Sequence, residues 1–376
     1  MINTPIDVST TADEMVVAWS DGTRSVHASL WLRDNRPEDR DAHSGQRLVD
    51  IADLPTAPRL VGAKIVAGRI EVVWQDGTPV TAYDPAWLQA QLHGAGDARP
   101  ELRPRHWLEG STIDGRGEFA WLRFAELRSD DALRLRWLTR LIEDGIGFIS
   151  EVPCVEGAIL EASALIGRVA ETNYGLLFDV RSVAKPENLA YSDFGLGLHT
   201  DNPYRDPVPG FQVLHALVST PDGGDSLFGD GFALADYLRV TEPAAFELLS
   251  RTQVPFLYQS AEAELYSEKP LIQIDVAGRL RAVHYNNRSI APLHMAPDQL
   301  LAFYAAYRRF AQLLRETRFQ VRLKLGDGDL VVFDNRRTLH GRTAFSSERH
   351  PRHLQGCYLT RDSVLSRAGL LRRGVR

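Results

Sequence analysis

Two histidines and an aspartate stand where they could share one metal ion: His199-Thr200-Asp201 in mid-chain, and His340 far downstream in Leu339-His340-Gly341-Arg342. Two imidazoles and one carboxylate hold a divalent iron on one face and leave its other positions open for an organic co-substrate and O2. Residues i and i+2 of an extended strand project from the same face, so His199 and Asp201 reach one ion while Thr200 turns away. The third ligand must come from another strand. Val331-Val332-Phe333-Asp334-Asn335 reads as a buried strand ending just before His340, which it could deliver across a barrel mouth. Alone, His-x-Asp is a weak signal. Arg352, on the strand after His340, strengthens it, because a dicarboxylate chelating the iron needs a guanidinium at its far end; a surface arginine is the plain alternative. Gly223-Gly224-Asp225-Ser226 adds a hydroxyl, Ser226, for the same dicarboxylate, against the alternative of a simple turn joining two strands. His215 and His284 fall near these strands and are read as core histidines, outside the metal set.

These residues need a scaffold of strands. Short strands separated by turns are expected over 15–19, 26–31, 63–66 and 70–74, giving a small β-rich N-terminal domain over 1–100. The Pro- and Arg-rich run 98–105 has no apolar period and is expected to be a linker. A second domain, 110–376, begins with an amphipathic helix over 131–144, a strand at 147–149 and a helix over about 156–169. Strands follow at 211–218, 271–274, 281–285, 330–333 and 355–359, interrupted by one helix over 297–315. The chain is therefore expected to be mainly β with flanking helices. Strands this dispersed suit a jelly-roll better than a parallel βαβ sheet.

Bulk properties narrow the partners. At 376 residues the chain buries a large core without covalent staples, and its two cysteines, Cys154 and Cys357, suit a reducing compartment. Met1-Ile2-Asn3-Thr4 lacks the basic and apolar regions of a signal peptide, so a cytoplasmic home is expected. A net charge of -6 gives no general attraction to nucleic acid or anionic membrane, and no long apolar run is present. The expected partner is a small molecule.

With these motifs in place, the sequence resembles the Fe(II)/2-oxoglutarate oxygenases of the taurine dioxygenase superfamily, in the γ-butyrobetaine hydroxylase-like branch. Trp31-Leu32-Arg33-Asp34-Asn35, His199-Thr200-Asp201-Asn202-Pro203, Gly223-Gly224-Asp225-Ser226, Phe333-Asp334-Asn335, Leu339-His340-Gly341-Arg342 and Arg352-His353-Leu354 carry the likeness over nearly the whole chain. The resemblance implies a double-stranded β-helix catalytic domain, iron held by His199, Asp201 and His340, and 2-oxoglutarate bound by Arg352 with Ser226 and Leu214. It also implies a homodimer. One departure stands out: relatives often carry zinc-binding cysteines after the Trp-Leu-Arg-Asp-Asn run, where this chain has Arg36, Glu38 and Asp41. The zinc is expected to be absent, with Arg36, Glu38, Asp39 and Arg40 replacing it by ion pairs.

Tyr174, Phe178, Tyr191 and Tyr358 match, by the same resemblance, an aromatic cage for a trimethylammonium group, whose charge is attracted by ring faces. Without the resemblance, simple core packing is the better account of these rings. Asn188, Asn202, Asn286, Asn287 and Arg288 are the polar counterpart for an anionic head group. A phosphonate needs more donors than a carboxylate. Asn202, Asn287 and Arg288 therefore favour 2-(trimethylamino)ethylphosphonate over γ-butyrobetaine as the expected substrate, either one being hydroxylated as 2-oxoglutarate and O2 yield succinate. A non-catalytic betaine-binding protein and a zinc hydrolase are the alternatives. The first leaves an intact ligand set unexplained, and the second gives Arg352 no task.

Overall fold

The computed structural model describes residues 4–91, 103–108, 119–181, 195–345 and 352–374. Chain contacts group them into two compact units, Met1–Glu101 and Leu102–Arg376. In the first, β1 (Pro5–Thr10), β2 (Glu14–Trp19) and β3 (Arg24–Ala28) form one antiparallel sheet, and β4 (Leu60–Val66), β5 (Arg69–Trp74) and β6 (Thr81–Tyr83) form another. Strand alternation in β2 and β5 buries Met15, Val17, Trp19, Ile70, Val72 and Trp74 in one cluster.

The strand expected over 26–31 stops at Ala28, and Ser29–Asp34 is instead a helix, α1. One long-range and one local bond favour this: the Tyr83 hydroxyl donates to the Leu32 carbonyl at 2.6 Å, and at the end of the helix the Asn35 carboxamide donates to the Trp31 carbonyl at 2.9 Å. Beyond α1, Arg33 and Arg36 converge on Asp39 at 2.7 and 3.2 Å, and Arg40 donates to Asn35. Charged side chains knit this segment together. A short helix, α2 (Pro85–Ala90), capped by Asp84, follows β6.

The second unit opens with β7 (Ala120–Arg123), α3 (Phe124–Ser129), α4 (Asp131–Asp144), β8 (Ile146–Ser150), α5 (Ala158–Ile166), β9 (Val169–Ala170) and β10 (Phe178–Arg181). Then come β11 (Leu196–His199), β12 (Phe211–Val218) and β13 (Ser226–Asp230). An excursion follows: α6 (Gly231–Thr241), α7 (Pro243–Arg251), the hairpins β14 (Val254–Gln259) with β15 (Glu264–Lys269) and β16 (Ile272–Ile274) with β17 (Leu280–Val283), and α8 (Pro297–Leu313). The chain closes with β18 (Val321–Leu323), β19 (Leu330–Asp334), β20 (Thr338–Arg342), β21 (His353–Leu359) and α9 (Arg361–Arg372).

Two sheets form a double-stranded β-helix. The larger runs β10-β21-β12-β19-β8-β7, with β9 on β21, and the smaller runs β11-β20-β13-β18. Phe148 and Phe333 of the larger sheet meet Phe228 of the smaller at 6.2 and 5.8 Å between ring centroids. Helices α3, α4, α5 and α9 cover the outer face of the larger sheet through Leu127, Leu138, Ile159 and Val364. Among the described residues three helices, not one, lie between the strands. Helix α6 escapes a periodicity reading because it buries Phe232, Ala233, Leu234, Ala235 and Leu238 on nearly every side. No helix among the described residues is long and apolar enough to cross a membrane.

Candidate active site

His199 ends β11 and stands directly opposite His340 of β20 in the antiparallel ladder, so the two rings lie 4.3 Å apart between centroids. Asp201, the third member of the ligand set, departs from the expectation of a continuous strand. β11 stops at His199, and Asp201 sits in the bend beyond it. Thr200 turns away as expected, its amide donating to the Tyr285 carbonyl at 2.7 Å and its hydroxyl accepting from the Tyr285 amide at 2.9 Å. The Asn335 carboxamide holds both backbone groups of Asp201, accepting from its amide at 2.7 Å and donating to its carbonyl at 2.9 Å.

Asp201 Oδ1 lies 3.3 Å from His199 Nε2 and 3.8 Å from His340 Nε2. Ligand atoms of all three lie within 4.8 Å of one another. His199 Nδ1 is 3.0 Å from the Gly197 carbonyl, which orients the ring and leaves Nε2 for a metal. Burial first, and then the neighbouring His199, push His340 down to about 3, so its imidazole is neutral and its lone pair available. Burial alone would raise the Asp201 carboxyl. His340, His199 and the Tyr358 hydroxyl outweigh it and hold the group well below the usual carboxylate range.

Arg352, just before β21, is buried, and its Nη1 has no hydrogen-bond partner among the described residues. Burial and the nearby Arg342 push its guanidinium down to about 10. Both guanidinium carbons lie over the Phe345 ring, at 5.6 and 5.2 Å. Gly224, in the left-handed region at φ 65°, admits this arginine: a Cβ there would lie 3.1 Å from Arg352 Cδ. Ser226 is buried opposite Arg342 in the ladder, and Leu214 of β12 stands opposite Gly356 of β21. A buried arginine with an unpartnered Nη1, in the same barrel as two imidazoles and a carboxylate, fits Fe(II) with a chelating dicarboxylate.

Tyr174, Phe178 and Tyr358 come together, with centroids 6.5 Å apart for the first pair and 5.2 Å for the second. Gly356 permits this, since a Cβ there would lie 2.3 Å from the Phe178 ring. Two rings that sequence reasoning missed complete the group: Tyr258 lies 6.3 Å from Tyr174 and 5.1 Å from Tyr204. Tyr204 directly follows the His199–Pro203 motif, whereas Tyr258, on β14, carried no signal. Asn188 and Tyr191 lie outside the described residues.

The polar side differs from expectation at Asn202. Its carboxamide is already committed, Oδ1 accepting from the Tyr204 hydroxyl at 2.7 Å and Nδ2 donating to the Tyr358 oxygen at 3.3 Å. Asn286 donates to the Thr200 carbonyl at 3.3 Å, which draws the loop after β17 toward the metal ligands. On that loop Asn287 accepts from Tyr307 at 2.7 Å. Arg288 forms no ion pair among the described residues. It is solvent-accessible but enclosed enough that burial lowers its pKa, while Asp201 and Tyr204 act to raise it. His215 and His284 stay outside the metal cluster; His284 Nε2 lies 3.2 Å from Gln273.

Fold and site together define a non-heme iron oxygenase of the double-stranded β-helix class. Residues 119–358 match the family model described as Taurine catabolism dioxygenase TauD, TfdA family, and residues 6–89 match one described as Gamma-butyrobetaine hydroxylase-like, N-terminal. The chain is 38% identical over 369 residues to a gamma-butyrobetaine dioxygenase from Pseudomonas sp. (strain AK-1), covering 96% of this chain and 94% of that one. It is 28% identical over 375 residues to the gamma-butyrobetaine dioxygenase of Homo sapiens, with 96% and 95% covered. Against the mitochondrial trimethyllysine dioxygenase of Mus musculus it is 30% identical over 353 residues, covering 91% and 82%. The chain belongs to the TauD/TfdA family and is an Fe(II)/2-oxoglutarate-dependent dioxygenase. The preference for a phosphonate finds no support: these relatives are named for γ-butyrobetaine and trimethyllysine, and Asn202, one of the three donors it required, is already bonded at both ends.

Proposed function

We propose that this enzyme hydroxylates γ-butyrobetaine to carnitine, with one molecule each of 2-oxoglutarate and O2 giving succinate and CO2. The observation that carries the reading is the aromatic group Tyr174, Phe178 and Tyr358 set beside the carboxylate of Asp201, joined to 38% identity over nearly the full length of a γ-butyrobetaine dioxygenase.

In this reading His199, Asp201 and His340 hold Fe(II), and Arg352, Ser226 and Leu214 receive 2-oxoglutarate. Bound together, iron and 2-oxoglutarate supply the oxidation that replaces a C–H hydrogen by hydroxyl. The chain's own side chains position and exclude. The tyrosine and phenylalanine rings take the trimethylammonium group, which offers no hydrogen-bond donor and is drawn to ring faces. Arg288 and Asn287 take the carboxylate at the other end, leaving the middle carbons over the metal. Met1–Glu101 acts as an accessory unit in a homodimer, an assembly that light scattering of the purified chain tests.

The functional test is succinate formation by the Fe(II)-loaded enzyme with γ-butyrobetaine, trimethyllysine or no substrate, with and without O2. Strong O2-dependent stimulation by γ-butyrobetaine, with carnitine recovered in equal amount, is the expected result. Stimulation by trimethyllysine alone, or by neither, overturns the substrate assignment.

A further inference from the structure

We infer that Tyr358 is a positioning residue for the iron carboxylate, its hydroxyl holding Asp201 with a single oxygen turned toward the histidines. The β-ladder cannot do this, because Asp201 lies past the end of β11 in a bend. Its two oxygens face different partners. Oδ1 is the atom 3.3 and 3.8 Å from the two histidine Nε2 atoms, whereas Oδ2 accepts the Tyr358 hydroxyl at 2.7 Å. A carboxylate tied at one oxygen offers the other alone to a metal. Ligation by one oxygen keeps a position open that two-oxygen chelation would fill, and the reaction needs three open positions for 2-oxoglutarate and O2.

The hydroxyl is itself held by a chain of side chains. Tyr358 oxygen accepts from Asn202 Nδ2 at 3.3 Å, Asn202 Oδ1 accepts from Tyr204 at 2.7 Å, and the Tyr204 and Tyr174 hydroxyls lie 3.4 Å apart. Each tyrosine has one proton to give. Tyr358 gives its proton to Asp201 and Tyr204 gives its proton to Asn202, so Tyr174 donates to Tyr204, and every donor in the chain points toward the metal site. Asn202 keeps this register from a left-handed conformation at φ 51°, which asparagine tolerates better than most residues. The Tyr358 ring meanwhile stands 5.2 Å from Phe178. One side chain therefore serves both the cation pocket of the proposed function, on which only this last role rests, and the iron ligand.

Tyr358→Phe separates the two roles, since it keeps the ring and removes the bond. In the full-length apo-protein, anaerobic calorimetry with Fe(II) is expected to show binding weakened about tenfold or more, the usual consequence of losing a ligand's outer partner. Absorption of the Co(II)-substituted protein is expected to shift as Asp201 changes its ligation. Succinate formed per hydroxylated product should rise, while KM for the quaternary amine changes by less than about threefold, because the ring face is kept. Tyr204→Phe, which breaks the chain further out and leaves Tyr358 in place, is the second variant, with a smaller loss in the same direction. Unchanged Fe(II) affinity and Co(II) spectra in both variants overturn the inference. These readings need no substrate, so their failure is distinct from failure of the γ-butyrobetaine assignment.

Discussion

Replacing Arg352 by methionine keeps the stem and removes the charge. In the free protein this arginine is a buried cation with an unpartnered Nη1 and another cation, Arg342, close by. Its charge is thus a burden on the empty fold and becomes favourable only when an anion arrives. Breaking one side of a buried, hydrogen-bonded charge pair costs about 2–5 kcal/mol. At about 1.4 kcal/mol per tenfold, the 2-oxoglutarate concentration for half-maximal turnover rises roughly 30-fold to a few thousand-fold in Arg352→Met. KM for the prime substrate should change by less than about threefold, because that contact is made elsewhere. The thermal midpoint of the apo-variant should hold or rise, and the stabilisation by added 2-oxoglutarate should vanish, since linkage requires binding. Steady-state kinetics and thermal melts with and without 2-oxoglutarate decide the matter. Equal losses toward both substrates, or a large fall in the apo midpoint with unchanged 2-oxoglutarate kinetics, would make Arg352 a structural residue and refute the reasoning.

Asp201→Ala removes the anionic ligand and should reduce turnover to background; undiminished activity removes the metal site as described. Arg288→Ala should raise KM for γ-butyrobetaine by about tenfold, the worth of one partly exposed charge-assisted bond, with 2-oxoglutarate kinetics unaffected; a loss confined to 2-oxoglutarate would reassign it. Burial lowers His27, His215 and His284 from 6.5 to about 4, 4 and 3, so as pH falls the unfolded chain takes up protons before the folded one. Their contribution to stability is complete above about pH 6.5 and is lost below it, by up to about 1.4 kcal/mol per pH unit for each histidine until its folded value is reached. Urea midpoints of the apo-protein at pH 7.5 and 5.5 test this, and a midpoint that stays flat or rises on acidification rejects it.

The ligand set was legible because it depends on residue type and strand spacing, and the ladder that pairs His199 with His340 supplies the rest. The bend at Asp201 was not, since what ends β11 is a set of long-range bonds from Tyr285 and Asn335 that no local pattern encodes. Ser29-Leu30-Trp31 read as the end of a strand for a similar reason: Tyr83, distant in sequence, bonds the Leu32 carbonyl of α1. Helix α4 was readable from its amphipathic spacing and ends where expected, whereas α6, buried on most sides, has no period to read. Asn202 was given the right neighbourhood and the wrong partner. Its type marks it as a donor, but only the fold reveals that Tyr204 and Tyr358 have already taken it.

Between β13 and β18 the chain leaves the barrel for a long detour, and within it Asn286, in the loop between β17 and α8, fastens that loop to Thr200. The rings of Phe178 and Tyr358 belong to β10 and β21 of the barrel, while Asn287 and Arg288 belong to the detour. In the proposed reading the groups that take the anion come from the detour, whereas the rings that take the cation come mostly from outside it, with Tyr258 of β14 added from the detour. If that reading holds, a deletion or insertion in the detour moves Asn287 and Arg288 against the rings of β10 and β21 without replacing a metal-ligating residue. On that reading the spacing between the two charges of an acceptable substrate is set by the detour, within the limit that Tyr285 and Asn286 keep their bonds to Thr200 between the metal ligands.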